Sequence, residues 1–202
     1  MHIHLHYIAN FVLWGSILMP DKKLPKIHED VWMPDQDFPV RAFYYENNVP
    51  GGLFDLHWHE HFELIYVTGG SMDIECEGCM IHLCAGDTIV INPNELHSCP
   101  HIDTPLSLYC VIFDVEILKS RFFDKSESKY IPPILQNGIL FENELQQNSE
   151  LGAHIVKVCE ELELQGRGYE LAIKAEILYI LVTLLRGCTV RILTSSEKEA
   201  KL

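Results

Sequence analysis

Between residues 53 and 114 the chain falls into short runs of strand composition: FDLHWH, FELIYVT, SMDIECE, CMIHLC, DTIVINP and LSLYCVIFD. Turn-forming clusters punctuate them at Gly69-Gly70, Gly78, Ala85-Gly86, Pro93-Asn94 and PHIDTP. Successive side chains of an extended strand point to opposite faces, so each run can line a core on one side. Short strands spaced by turns admit few architectures, and they predict an antiparallel sandwich or small barrel. FPVRAFYYEN (38–47) reads as a further strand ahead of them, followed by the turn cluster NNVPGG.

After Asp114 the period changes. VEILKSRFF reads as a short helix and DKSESKYIPPI as a polar loop. From about Asn143 to Leu164, Leu151, Ile155, Cys159 and Leu162 recur at helical spacing, and Gly166 and Gly168 break that helix before a second one at Tyr169–Arg186. This last helix carries two apolar rows. Leu171, Ala175, Leu178, Val182 and Leu185 form one; Ile173, Ile177, Ile180 and Leu184 form the other. Positions 171 and 173 lie about 200° apart around the axis, so the rows occupy opposite faces. One face packs on the barrel, and the other calls for a partner chain. The expectation is a homodimer through the first row, in which Ala175 permits close approach.

With 202 residues there is one domain, or one domain with an appendage. Fifteen basic residues against twenty-nine acidic give a formal charge of −14, and no basic run occurs. Phosphate backbones are held by clustered Lys and Arg, so these residues are not expected to bind nucleic acid. Seven cysteines are scattered, an arrangement that fits a reducing, cytoplasmic compartment. Cys76 and Cys79 flank a hairpin turn at Glu77-Gly78; without a second such pair they do not suggest a zinc site. Residues 1–18 are apolar but short for a membrane span and lack the charged start of a secretory signal. They read as an untranslated or disordered leader, with translation starting at Met19 and no membrane attachment.

The stretch HWHEHFE, residues 57–63, concentrates the chemistry. His57 and His59 are two apart, so on a strand both face one way. Imidazoles with a carboxylate suit Zn, Fe, Ni or Mn, or they hydrogen-bond a polar ligand. The spacing Gly51, His57, His59, Glu63, Gly70 resembles the first motif of the cupin superfamily, and Gly86 to His97 has the spacing of the second. That second motif is imperfect. Its proline is displaced to Pro93, its turn glycine is Asn94, and its final Asn is His101. Asn tolerates φ > 0 better than most residues, so the turn is expected to survive. His61 and the N-terminal His2, His4 and His6 are expected to be solvated.

A narrower resemblance covers about residues 36–190. FPVRAFYY, HWHEHFELIYVTGGSMDI and CAGDTIVINPNELHS, in that order, resemble the effector-binding domain of AraC-type transcription regulators; GRGYELAIKAEILYILVTLLR resembles that family's two-helix tail. The resemblance implies a mainly β fold with α: a cupin-type double-stranded β-helix, or small jelly-roll barrel, over 36–114, followed by a C-terminal pair of α-helices. Residues 1–35 would form an N-terminal leader or arm and 115–187 a helical dimerisation region. TSSEKEAKL looks like a linker, within 188–202, toward a helix-turn-helix DNA-binding half that the sequence does not include. The implied function is sensing of a small polar effector such as a sugar, without catalysis. Arg41, His57, His59, Glu63, Tyr66 and His97 are the candidate effector-binding residues. Trp58, between two histidines, is expected to face away from them. No cofactor is required, but one divalent metal (Zn, Ni, Fe or Mn) is within reach of His57, His59, Glu63 and His97. The alternative in another class is a stand-alone metal-dependent cupin enzyme, a dioxygenase or isomerase, using the same four residues.

Overall fold

In the computed structural model, residues 27–119, 124–187 and 191–192 are described. The proposed leader 1–18 and the linker at 193–202 lie outside them. The strands are β1 (Val40–Asn47), β2 (Phe54–His57), β3 (Phe62–Cys76), β4 (Cys79–Cys84), β5 (Thr88–Ile91) and β6 (His97–Phe113). Then come a 3-10 turn (Val115–Leu118), α1 (Lys125–Leu135), β7 (Ile139–Leu140), β8 (Glu144–Leu145), α2 (Ser149–Leu164), α3 (Tyr169–Gly187) and β9 (Arg191–Ile192). All strand pairings between named strands are antiparallel.

Two strands organise the barrel. β3 and β6 pair along nearly their whole lengths, with register shifts near Gly69 and between Asp73 and Glu75. One half of each is flanked by β1 and β5, the other by β2 and β4. The turns expected at Gly69-Gly70 and at PHIDTP are therefore bends inside long strands. Gly70 explains why a turn signal serves here: its φ is 76°, and a side chain would collide with the Pro105 carbonyl across the bend. The hairpin at Glu77-Gly78 forms as expected, with φ of 49° and 77°.

The start of β3, all of β5 and the end of β6 are buried on both faces. Phe62, Leu64, Val90, Val111 and Phe113 join Leu151, Ile155, Ile173 and Ile177 in a core beneath the helices. Ile65, Val67, Ile89, Ile91, Cys110 and Ile112 line the barrel interior with Met72, Ile74 and Leu83. This two-sided burial is why FELIYV and TIVI read as near-continuous apolar runs.

The helical region departs from expectation in two places. The stretch taken for a polar loop contains α1, whose Pro132 and Pro133 lie in its last turns. The first of the two tail helices starts at Ser149, where Asn148 Oδ1 accepts from Leu151 N at 3.0 Å; residues just before it form β8 against β5. Of the presumed 188–202 linker, Arg191–Ile192 pairs with β7. The Ile173, Ile177, Ile180 and Leu184 row of α3 is buried in the monomer, whereas Leu171 is 75% and Leu178 50% exposed. Ala175 is exposed, and Val182 and Leu185 are half-buried.

Tyr66 corrects a sequence expectation. Its parity along β3 is that of Phe62 and Leu64, so it faces the helices and not the barrel interior. A Cβ on Gly152 of α2 would lie 2.5–2.8 Å from three atoms of its ring. Replacing a helical glycine by alanine ordinarily gains about 1 kcal/mol. Here the clash should reverse the sign: Gly152→Ala is expected to destabilise by about 1–3 kcal/mol, read from the urea midpoint. Tyr66→Leu in the same chain should recover part of the loss.

Candidate metal centre

β2 meets the start of β6 so that His57 lies directly opposite His97, and Cys76 of β3 flanks His97 on the other side. Glu63 arrives from β3, opposite both Ile112 and Ile91. His59 follows β2 in the loop that leads to β3, and its carbonyl accepts from Asn94 N at 2.8 Å. The sequence-expected turn holds, with Asn94 at φ 67°. His59, Glu63 and His97 are buried, and His57 is half-buried. One ligand atom from each of the four lies within 4.8 Å of all the others. Ring centroids of His57 and His97 are 4.2 Å apart, and those of His59 and His97 5.1 Å.

The outer nitrogens of the three rings are engaged in one way. His57 Nδ1 donates to the Asp55 carbonyl at 2.7 Å, His59 Nδ1 to the His61 carbonyl at 3.2 Å, and His97 Nδ1 to the Glu95 carbonyl at 2.9 Å. A carbonyl oxygen only accepts, so each Nδ1 carries its hydrogen and each Nε2 is left to face the site. Glu63 Oε2 is 3.1 Å from His59 Nε2 and 3.3 Å from His97 Nε2. The second distance lacks hydrogen-bond geometry, and His97 Nε2 is a buried nitrogen with no hydrogen-bond partner. Burial opposes ionisation of Glu63, but the facing imidazoles outweigh it and hold the carboxyl far below its usual range.

A neutral imidazole with hydrogen on Nδ1 offers only a lone pair at Nε2, and a lone pair does not bond a carboxylate. A proton on Nε2 or a metal ion between the two meets this need. Protonating both rings that face Glu63 would set two imidazolium rings side by side in the interior, at a heavy desolvation cost. One divalent ion needs only neutral rings, and Nδ1–H bonds to backbone carbonyls are the outer contacts that orient metal-binding histidines. The donor set therefore fits a divalent metal ion.

Neighbouring residues hold this arrangement. The Cys110 thiol donates to Glu63 Oε1 at 3.3 Å, and burial keeps the thiol protonated by raising its pKa. Glu95 is buried, and its Oε2 accepts from Asn92 N (2.9 Å), Asn92 Nδ2 (3.1 Å) and Asn143 Nδ2 (2.7 Å). Asn92 Oδ1 also accepts from Phe141 N at 2.9 Å, tying the turn before His97 to the segment leading into the helices. Sequence reasoning singled out none of these. Glu95 lay in a turn cluster, and Cys110 in an apolar run. Glu29 was also missed: its carboxylate is 2.9 Å from His57 Nε2, which lowers its pKa.

Arg41 lies on the same face as the cluster, in the cross-strand row Arg41–Ile112–Glu63–Ile91, with its guanidinium 5.3 Å from the centre of the Phe43 ring. Tyr66 does not reach the site. The Trp58 ring sits against His28, 4.4 Å between centroids. His61 is half-buried rather than solvated, and burial lowers its pKa; His2, His4 and His6 lie outside the described residues. His101, at the place of the second motif's final Asn, is exposed and 3.3 Å from Asp103.

Removing the Glu95 side chain should orphan several buried donors and free the turn that aims His97. Glu95→Ala is expected to cost about 2–3 kcal/mol in urea unfolding. A cost under about 0.5 kcal/mol, as for an ordinary surface change, would mean that the network carries no structural load.

Residues 40–181 match the AraC-like ligand binding domain family. An uncharacterized HTH-type transcriptional regulator, YbfI of Bacillus subtilis (strain 168), is 26% identical over 93 residues, which are 46% of this chain and 34% of that protein. The matched region thus spans about a third of that relative. Among solved structures, a cupin protein (BF4112) from Bacteroides fragilis is similar at 20% identity and a TM-score of 0.36, over 42% of this chain and 73% of that one. KdgF from Halomonas sp. is similar at 22% identity and a TM-score of 0.33, over 38% and 69%. Bacillus subtilis oxalate decarboxylase follows at 21%, 0.34, 38% and 21%. With the match spanning both the barrel and the helices behind it, this chain belongs to the AraC-like ligand-binding domain family, and its fold is a cupin-type barrel followed by α-helices.

Proposed function

We propose that this domain senses a small polar effector at the mouth of its barrel, beside a divalent cation held by His57, His59, Glu63 and His97. The observation that carries the reading is the buried Glu63 carboxylate facing His59 Nε2 and His97 Nε2, with a ligand atom of His57 within 4.8 Å of the others, in a chain of a ligand-binding family. A bound cation supplies positive charge and a position for a ligand oxygen. The protein's own groups do the rest. Arg41 offers hydrogen-bond donors on the same face, and Phe43 and Phe54 offer apolar walls. A sugar or related metabolite suits such a site.

The regulatory reading is supported by the relative with a helix-turn-helix designation. A formal charge of −14 fits a sensor whose phosphate contacts would be made by a separate DNA-binding half. A cytoplasmic location belongs to this reading; among the described residues no helix is long and apolar enough to cross a membrane. The same four donors would serve a metal-dependent cupin enzyme. The exposed apolar row of α3 favours a regulator, because it offers the domain a way to pass its state to a second copy.

Two measurements test the reading. Protein purified without chelator should carry close to one equivalent of Mn, Fe, Ni or Zn by elemental analysis. His59→Ala and His97→Ala should each lose most of it, and the ion should leave as pH falls below about 6, where protons compete for Nε2. Metal-free parent protein would refute the metal assignment.

The dimer rests on Leu171, Ala175, Leu178, Val182 and Leu185. The opposite row of α3 is buried within the monomer, so the row at hand is free to pair. Leu178→Glu should place an unpaired carboxylate in the dimer at a cost of about 3 kcal/mol or more. Sedimentation at micromolar concentration should give a dimeric parent and a folded monomeric variant. A monomeric parent would exclude the interface.

A further inference from the structure

The hairpin at Glu77-Gly78 sets Cys76 of β3 directly across from Cys79 of β4, the only pairing of two cysteines among the described strands. The pair continues the row Met72–Leu83 and Ile74–Ile81, whose side chains join the barrel core. Cross-strand partners share a face of the sheet, about 4.5–5.5 Å apart at Cα. A disulfide spans about 4.4–6.8 Å between Cα atoms, so the two sulfurs meet by side-chain rotation without a slip of the strands. Both are free thiols, and exposure divides them: Cys76 is buried, and Cys79, beside the turn, is exposed.

This hairpin is anchored beside the candidate centre. The Cys76 thiol donates to Glu95 Oε2 at 3.7 Å, on the oxygen that also accepts from Asn92 and Asn143. Glu77 N donates to the Leu96 carbonyl and Leu96 N to Glu77 Oε1, both at 2.9 Å. Cys76 is itself the ladder partner of His97. The tip of the hairpin is thus bonded to residues 95 and 96 and paired with 97, the stretch that delivers His97 to the site. Burial raises the Cys76 pKa, which keeps its hydrogen in place as a donor to Glu95. A buried carboxylate that loses a donor loses part of what offsets its burial.

We propose that Cys76 and Cys79 are a modification site, where a hydroperoxide forms a reversible disulfide that takes the Cys76 thiol from Glu95 and shifts the turn carrying His97. Effector binding does not include this second, oxidative input. Cys79 is the thiol that a solute reaches first, and its thiolate is the attacking group. It attacks one oxygen of hydrogen peroxide, and the O–O bond breaks. The departing oxygen takes up the proton that Cys79 gave up and leaves as water, with Cys79 now a sulfenic acid. The Cys76 sulfur then attacks the Cys79 sulfur; the S–O bond breaks, and the hydroxyl leaves as water with the Cys76 proton. The two thiols lose two electrons and two protons, and one peroxide becomes two waters. A dithiol reductant reverses the bond by exchange. Cys84, also exposed on β4, stands opposite Ser71 and has no such partner.

The full 202-residue chain, treated with a small excess of hydrogen peroxide and then alkylated, tests the proposal by peptide mass mapping and by amide proton–nitrogen spectra. A bond between Cys76 and Cys79 is expected in the parent and in Cys84→Ser, and none in Cys79→Ser or Cys79→Ala. The Leu96 and His97 amides should shift on oxidation and return with dithiothreitol. In the two Cys79 variants, which change an exposed side chain and should fold, peroxide should leave those amides where they were. Sulfinic acid at Cys79 without a bond, or a bond joining other cysteines, would overturn the proposal. So would a Cys76–Cys79 bond that leaves the Leu96 and His97 amides unmoved. Neither readout involves a metal, so the four-residue centre stands or falls separately.

Discussion

The carboxylate of Glu63 is buried in an apolar barrel and faces two imidazole nitrogens whose ring partners already donate elsewhere. A buried ionised group is tolerated only when its charge is met, and the surrounding architecture meets it. β2 is paired to β6 in the one register that sets His57 opposite His97. The Glu95–Asn92–Asn143 network fixes the turn that delivers His97, and Cys110 holds the second oxygen of Glu63. Shifting any of these strands by one residue would turn the polar set out of the interior and an apolar set in.

The same alternation divides the protein into two working faces. Odd positions of β3 at Glu63, Ile65 and Val67 look into the barrel, while Phe62, Leu64 and Tyr66 look toward the helices. The helix core therefore presses on the backs of the strands that carry the site. Close contact between Tyr66 and Gly152 makes that junction stiff. The outer row of α3, beyond this helix core, is the surface proposed for pairing.

Much of this was legible in the sequence, for identifiable reasons. Runs of strand composition fall on all six barrel strands, although they divide β3 in two and miss the first part of β6. The two rows of α3 were separable because helical phase is regular over 19 residues. His57, His59, Glu63 and His97 were singled out by the resemblance of their spacing to the cupin motifs, and their ligand atoms come within 4.8 Å of one another. Local signals failed where tertiary context overrode them. Gly69-Gly70 and PHIDTP look like turns, yet long-strand pairing turns them into bends. KSESKYIPPIL looks like a loop, yet α1 forms there, packed on the core through Ile131 and Ile134. Tyr66 was misplaced although its parity relative to Glu63 assigns it to the opposite face. Glu29 had no signal, since its partner lies 28 residues away.

The centre depends on where the imidazole hydrogens sit. Long-range proton–nitrogen correlation spectra of the histidine rings, recorded on metal-free and zinc-loaded protein at neutral pH, read this directly. His57, His59 and His97 are expected to keep hydrogen on Nδ1 in both forms, with only their Nε2 resonances moving when zinc is added. Rings with hydrogen on Nε2 and a bare Nδ1, or Nε2 resonances unmoved by zinc, would contradict that expectation.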